Sequence, residues 1–436
     1  MKYIAISLLT ACFLLLSACK SEEQRQAEIE EERQEIEEMN QRFWNDSLTN
    51  AASDIADLAR MDSTILRFMR KNELKGVSLA VMRNDSLLYA KGYGFADEEG
   101  KQPMQPTSIM RVASVSKLIT AVGIMKLVDE GRIKLQHRVF GPKGIIRDLE
   151  ITGGITDERI YDITVRQLLQ HRAGFTTPKG DPMFNTADLI KSSHLDHVPS
   201  PKEVAGIVLS RKLGYTPGER SSYSNFGYMV LSLVIEKVTG KSYWDYMQED
   251  VLKPAGITSF QAAGNYLADR HEREVRYYNT DLDTIREYTG SNKLVTRRYG
   301  GNNVNGLLGG GAWVASAPGL ARLVASIDSI PGVPDILTLN SVREMTRYNE
   351  EPPVSFGWSS VPEPGKWQRT GTLASTQAMI CKYPDGECWV MVSNTGHWTG
   401  YKFNAEYGKL FDQLREKYSP AFPKRDLFQK QTYLPM

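Results

Sequence analysis

Apolar and polar positions along the chain fall into segments of different period. A continuous apolar run, Ile4 to Leu16, follows Lys2 and is too short to cross a membrane comfortably. From Glu22 to Glu38 the chain is Glu-rich with isolated Ile29 and Ile36, which leaves little to bury and reads as a solvated helical or disordered tether. Ile55, Leu58, Ile65, Leu66 and Met69 form an apolar stripe that predicts a helix within Ala51 to Lys71. Val77 to Met82 and Leu87 to Gly94 flank Arg83-Asn84-Asp85-Ser86, a pattern of strand, tight turn and strand. After it, Leu118 to Val128 is apolar almost throughout and closes at Asp129-Glu130-Gly131, as a helix would.

The middle of the chain keeps the helical period. Ile163 to Phe175 predicts a helix with Thr164 as N-cap and Gly174 as stop. Met229 to Val238, ending at Gly240, and Ala317 to Ile327 predict two more. Strand patterns return at Thr376 to Cys381 and Cys388 to Asn394, around Tyr383-Pro384-Asp385-Gly386, before a last helix from about Tyr401 to Tyr418. Strands from both chain ends bracket helices, which favours an α/β (α+β) fold: one antiparallel sheet flanked by helices, with an inserted, mostly helical domain. The expected partition is a leader over 1–18, a tether over 19–50 and one folded unit over 51–436. Within that unit the sheet part covers about 51–112 and 355–420, and the helical part about 113–354.

Composition adds limits. The 436 residues carry 53 basic and 52 acidic side chains, a net charge of +1, and nothing points to nucleic acid. The N-terminal run with Leu16-Ser17-Ala18-Cys19 reads as a signal peptide with a small-residue cleavage site. Leu-Ser-Ala-Cys resembles the lipobox of bacterial lipoproteins, which implies cleavage before Cys19, acylation of its thiol and a stable hold on a membrane surface. The expected place is therefore an exported, membrane-anchored one facing the periplasm or the cell surface. Lys20-Ser21-Glu22-Glu23 also resembles the acidic stretch that marks surface export in some Gram-negative lipoproteins.

Cys12 leaves with the leader, so Cys381 and Cys388 remain in a compartment that permits disulfides. An even two- or four-residue loop sets them opposite each other; a type I turn with a glycine bulge sends them to opposite faces, and Pro-Asp-Gly suits the bulge better.

Candidate chemistry begins at Ser114-Val115-Ser116-Lys117, where residues three apart share a helix face and bring a hydroxyl to an amine. Serine needs a base to take its proton, and lysine serves only with a lowered pKa, through burial or a helix N-terminus. Tyr223-Ser224-Asn225, on a loop entering the Met229 helix, can aim a phenol and an amide into one cleft; a turn tyrosine followed by a capping asparagine is the plainer alternative. Arg369-Thr370-Gly371 lies on a strand. His171 reads as a structural residue near a helix C-terminus, where a cation or donor suits the free carbonyls. His194-Leu195-Asp196-His197 lacks a third ligand nearby, so no metal is expected. Gly300 to Gly311 lacks the ending of a phosphate loop and reads as a flexible cleft wall.

Taken in order, Ser114-x-x-Lys117, Tyr223-x-Asn225 and Arg369-Thr370-Gly371 resemble the three motifs of the penicillin-recognising serine hydrolases. The leading tyrosine is similar to the branch that holds AmpC-type β-lactamases, D-alanyl-D-alanine carboxypeptidases and related esterases. The likeness continues through Arg111 to Lys117, Leu168 to Gly174, Pro217-Gly218 and Gly309 to Ala315. The resemblance implies a β-lactamase/transpeptidase-like fold and hydrolysis of an amide or ester through an acyl-serine intermediate, with no cofactor. Ser114 would be the nucleophile and Lys117 with Tyr223 its proton acceptors. Asn225 would donate to the substrate amide or orient Lys117, and the backbone N–H groups of Ser114 and Thr372 would form the oxyanion hole. Arg369 stands where Lys or His is usual and would grip a substrate carboxylate, beside Thr370. Gly371 would let substrate approach closely. The implied substrates are a D-Ala-D-Ala-type peptide such as a peptidoglycan stem, a β-lactam, or, alternatively, an ester or a D-amino-acid peptide. A surface binding lipoprotein without turnover is the reading from another class.

Overall fold

The computed structural model describes residues 48–177, 180–281, 284–348 and 356–429. Cys19, the leader and most of the expected tether lie outside the described residues.

Of the stripe seen in the sequence, Ile65 and Met69 fall with Met61 on the buried side of helix α1 (Ala59–Lys71), while Ile55 and Leu58 precede the helix and Leu66 is exposed. Strands β1 (Gly76–Arg83) and β2 (Ser86–Asp97) follow. Arg83 pairs with Ser86, and both turn residues, Asn84 and Asp85, have positive φ. This is the two-residue hairpin turn whose twist matches the strands. A short strand β3 (Gln102–Pro103) and helix α2 (Ser116–Asp129) come next. Side chains on every side of α2 are buried, as an all-round apolar helix requires. The helical middle contributes α3 (Asn225–Thr239) and α4 (Ala317–Ala325). Strands β4 (Ser360–Glu363), β5 (Lys366–Leu373), β6 (Thr376–Lys382) and β7 (Glu387–Ser393) precede α5 (Asn404–Tyr418).

These seven strands form one sheet in the order β4-β5-β6-β7-β1-β2-β3, and its pairings are antiparallel. The N-terminal hairpin is thus joined to the C-terminal strands through β1 and β7, as the pattern at the two chain ends predicts. Alternation along β1 separates two cores. Val77, Leu79 and Val81 pack with α1 and α5 residues Ile65, Tyr407 and Phe411, while Ala80 and Met82 belong to the core that includes α2 and α3. Helix α4, inside the span expected to be the helical part, packs on β1 and β7 and so covers the sheet's second face.

At the β6–β7 turn Lys382 faces Cys388 and Cys381 faces Trp389. The one-residue offset sends the cysteines to opposite faces, each buried and free, Cys381 in one core and Cys388 in the other. Gly386, with φ of 86°, supplies the left-handed residue that the bulged turn needs.

Candidate active site

Ser114 stands one turn ahead of α2, on the 3₁₀ turn Ala113–Val115, rather than within the α-helix. Three-residue spacing eclipses side chains in that geometry, and Lys117 Nζ lies 3.2 Å from Ser114 Oγ. Ala113 holds a φ of 50°, a region disfavoured for a residue with a Cβ and sustained here by surrounding packing. Lys117 is fully buried. Its Nζ also meets Asn225 Oδ1 at 2.7 Å and the Gly310 carbonyl oxygen.

Tyr223 comes from the segment entering α3. Its hydroxyl donates to Ser114 Oγ at 2.6 Å, and its ring lies 4.9 Å from Lys117 Nζ. Ser224, rather than Asn225, caps α3 by accepting from the Gly227 N–H; Asn225 is left to reach Lys117. Tyr223 is half exposed; desolvation around its hydroxyl raises the pKa, but the charges of Lys117 and Arg369 outweigh it and bring the phenol down to about 8. Burial lowers the Lys117 pKa, with Tyr223 opposing and Arg369 adding to the shift. Two groups beside the serine hydroxyl are thus shifted toward the neutral range, the arrangement general-base chemistry needs.

His171 supports the tyrosine loop. The Ser222 N–H donates to its carbonyl oxygen at 2.8 Å, and the Ser224 N–H donates to its Nδ1 at 3.1 Å. The expected role was a donor or cation at a helix end; instead the ring accepts, so its proton sits on Nε2. Burial, with Lys117 and Arg369 nearby, pushes its pKa well below the ordinary value. The ring packs 4.5 Å from that of Tyr223.

The third motif departs most from expectation. Arg369 is 3% exposed, and its Nε donates to the Ser114 carbonyl oxygen at 2.7 Å, with Nη2 on the same atom. The guanidinium therefore holds the nucleophile's backbone from below, and the expected carboxylate grip does not match where these donors point. Strand alternation explains this: Arg369 and Gly371 face the Ser114 turn, while Thr370 and Thr372 take the other register. A Cβ on Gly371 would lie 2.2 Å from the Val112 carbonyl oxygen and 3.1 Å from Ser114 N. Glycine is required there by the close approach of the serine turn, in place of the expected approach of substrate. Thr372 Oγ1 accepts from Asn404 Nδ2 at 3.1 Å.

These groups open into a cleft of about 870 Å³ whose wall includes Ser114, Tyr223, Asn225, Arg369, Thr370 and Thr372. Phe184, Leu307, Trp358, Val361, Leu373 and Tyr401 make it largely apolar. The glycine-rich stretch supplies Gly310 and Gly311. It is packed rather than loose, since a Cβ on Gly309 would sit 2.3 Å from Thr120 Oγ1.

Two contributors had no sequence signal. Gly310 acts through its carbonyl, which any residue type would carry. Asp181 Oδ2 accepts from Asn225 Nδ2 at 2.6 Å, and nothing in Asp181-Pro182 marks a reach across 44 positions.

A seven-stranded antiparallel sheet carrying a Ser-x-x-Lys turn, a tyrosine on the serine and a Thr-Gly strand beside it defines the β-lactamase and penicillin-binding-protein class. The Beta-lactamase family model matches residues 61–412, and the chain belongs to that family. Protein flp of Staphylococcus aureus (strain N315) is 29% identical over 208 residues, which are 47% of this chain and 39% of that protein. The match thus spans well under half of that relative's length. In fold, the chain is similar to the D-amino acid amidase of Ochrobactrum anthropi SV3, with a TM-score of 0.61 and 19% identity, covering 84% of this chain and 99% of that one. It is also similar to the octameric penicillin-binding protein homologue of Pyrococcus abyssi, with a TM-score of 0.60 and 21% identity, covering 82% and 77%.

Proposed function

We propose that this protein hydrolyses an ester or amide through an acyl-Ser114 intermediate. The observation that carries the reading is the convergence of Tyr223 Oη and Lys117 Nζ on Ser114 Oγ, at 2.6 and 3.2 Å. Ser114 Oγ attacks the carbonyl carbon and its proton passes to the Lys117–Tyr223 pair. The backbone N–H groups of Ser114 and Thr372 receive the oxyanion, a role suited to donors held in place before charge develops. Collapse breaks the bond to the alcohol or amine, which leaves with the proton. Water then attacks the acyl-serine, giving a proton to the same pair, and the pair returns that proton to Ser114 Oγ as the acid is released.

Arg369 bears on the substrate. With its Nε and Nη2 turned to the Ser114 carbonyl, the largely apolar cleft favours esters and amides without a carboxylate beside the scissile bond over β-lactams and D-Ala-D-Ala stems. The likeness in fold to the Ochrobactrum protein, a D-amino acid amidase, supports the amide side. A non-catalytic binding protein would have no need for the shifted pKa values of Tyr223 and Lys117.

A fluorophosphonate probe tests the mechanism: wild-type protein becomes covalently labelled at Ser114 and Ser114→Ala does not. Equal behaviour of the two sinks it. Comparison of p-nitrophenyl esters, nitrocefin and D-Ala-D-Ala peptides tests the substrate, with the ester expected to give the highest kcat/KM.

The reading includes a lipid anchor at Cys19, supported by Leu16-Ser17-Ala18-Cys19 after the apolar run. It places the catalytic unit on an exported membrane surface. Metabolic labelling with a fatty acid should mark the wild-type chain and fail on Cys19→Ala.

A further inference from the structure

Asn225 sits between two residues with opposite demands. Its Oδ1 lies 2.7 Å from Lys117 Nζ, and its Nδ2 donates to Asp181 Oδ2 at 2.6 Å. Asp181 is itself fixed, because its Oδ1 accepts from the Met183 N–H at 2.9 Å at the start of the 3₁₀ turn Pro182–Phe184. A carboxylate can only accept. An amide group facing it must therefore present its NH₂ and send its carbonyl oxygen the other way.

That orientation matters for either placement of the shared proton. A neutral Lys117 amine has two N–H groups and one lone pair. With Asn225 Oδ1 and the Gly310 carbonyl taking the two hydrogens, the lone pair is left for Ser114 Oγ. An ammonium instead donates to all three oxygens. If Asn225 turned over, its NH₂ would occupy the lone pair of the amine or deprive the ammonium of an acceptor. Both changes damage proton transfer from Ser114.

We propose that Asp181 is a positioning residue that pins the Asn225 amide with its oxygen toward Lys117, so keeping the Lys117 nitrogen available to Ser114. The inference rests on the acyl-Ser114 reading above. Charged and titratable groups facing Lys117 are Tyr223, Tyr228, Arg369, His171 and, through Asn225, Asp181. Of these only Asp181 carries a fixed negative charge, and it favours the protonated amine.

Asp181→Asn is the informative change. The new side chain has one acceptor oxygen for two donors, the Met183 N–H and Asn225 Nδ2. With the oxygen kept by Met183, its NH₂ faces Asn225 and drives the turnover just described. Hydrolysis of p-nitrophenyl butyrate by the full chain should show kcat reduced roughly ten- to a hundredfold, a part of what positioned proton transfer supplies, with KM little changed. The acid limb of the pH–kcat/KM profile should move to lower pH, since the charge that favoured protonated Lys117 is gone. Asp181→Glu, which keeps an acceptor, should recover most of the rate.

A double-mutant cycle isolates the route. In an Asn225→Ala background, Asp181→Asn should cost little more, because its effect passes through Asn225. Wild-type kcat and an unmoved pH limb in Asp181→Asn overturn the proposal, as does an equal further loss in the Asn225→Ala background. Failure of Ser114→Ala to lose activity would instead overturn the acyl-serine reading itself. Should Asp181→Asn fold poorly, the same comparison between Asp181→Glu and Asp181→Ser decides, with Ser expected to lose rate and Glu to keep it.

Discussion

The Tyr223 hydroxyl lies 2.6 Å from Ser114 Oγ, although 109 positions separate the two residues in the chain. Helix α3 begins two residues after Tyr223 and the Ser114 turn leads into α2; both helices are clamped in one core. Rigid elements therefore set the distance, and mutations at either end should alter chemistry more than stability.

Tyr223→Phe removes the hydroxyl and leaves the ring on His171. Expected is a fall in kcat of about 10²- to 10⁴-fold with an unchanged melting temperature. In the wild type, kcat/KM should rise with pH through a limb near 8, where the coupled Tyr223–Lys117 pair loses a proton. A pH series on both proteins checks this, and a limb that survives in Tyr223→Phe would assign it to another group.

Arg369→Ala should act twice. Loss of two charged donors leaves the Ser114 carbonyl oxygen with the Ser116 N–H as its remaining partner, costing about 1–3 kcal/mol in denaturant unfolding. Loss of the charge also removes one of the influences that lower the Tyr223 pKa, so the limb near 8 should move up. Arg369→Lys should keep more of the pKa effect than of the stability.

Gly371→Ala places a methyl 2.2 Å from the Val112 carbonyl oxygen, where backbone must yield. Overpacking of this kind costs about 1–3 kcal/mol, and here the displaced backbone carries Ser114. Thermal unfolding and fluorophosphonate labelling measured together should both decline.

Asp85 and Asp328 should contribute stability at acid pH that is lost as pH rises toward neutral. Burial lifts Asp85 to about 6, Asp335 adding to it, and lifts Asp328 to about 7 with a contribution from Asp85. Between the ordinary carboxyl pKa near 4 and these values the folded chain binds more protons than the unfolded one. Their contribution to the unfolding free energy therefore decreases with pH through that window, while His171, kept neutral in the folded chain, contributes the opposite sign. The double variant Asp85→Asn, Asp328→Asn should make the slope of stability against pH, measured by urea unfolding from pH 5 to 8, more positive than in the wild type; an unchanged slope would refute the assignment.

Cys381 and Cys388 should resist iodoacetamide in the native protein and both react, without reductant, once it is unfolded. Peptide mass spectrometry reads this directly, and a linked pair of peptides would contradict the offset register.

The amino-acid sequence by itself determined much of this protein. Short apolar runs broken by turn signals at both ends, and longer apolar runs with helix stops between them, specified a sheet closed by distant strands, because run length and turn residues are local properties of the chain. Asn84-Asp85 and Pro384-Asp385-Gly386 carried their own turn geometry. The spacing Ser114-x-x-Lys117 put amine and hydroxyl together for the same local reason, and the three ordered motifs pointed to the site. Tertiary structure alone decided what each motif residue touches. Arg369 was expected to reach for substrate, but strand register turned it beneath Ser114. Gly371 yields its space to the serine turn, His171 accepts where donation was expected, and Asp181 reaches Asn225 from a separate turn. Such contacts depend on how elements that fold locally are brought together by burial of their shared core, and no periodicity within a segment records which carbonyl or carboxylate will lie on the other side.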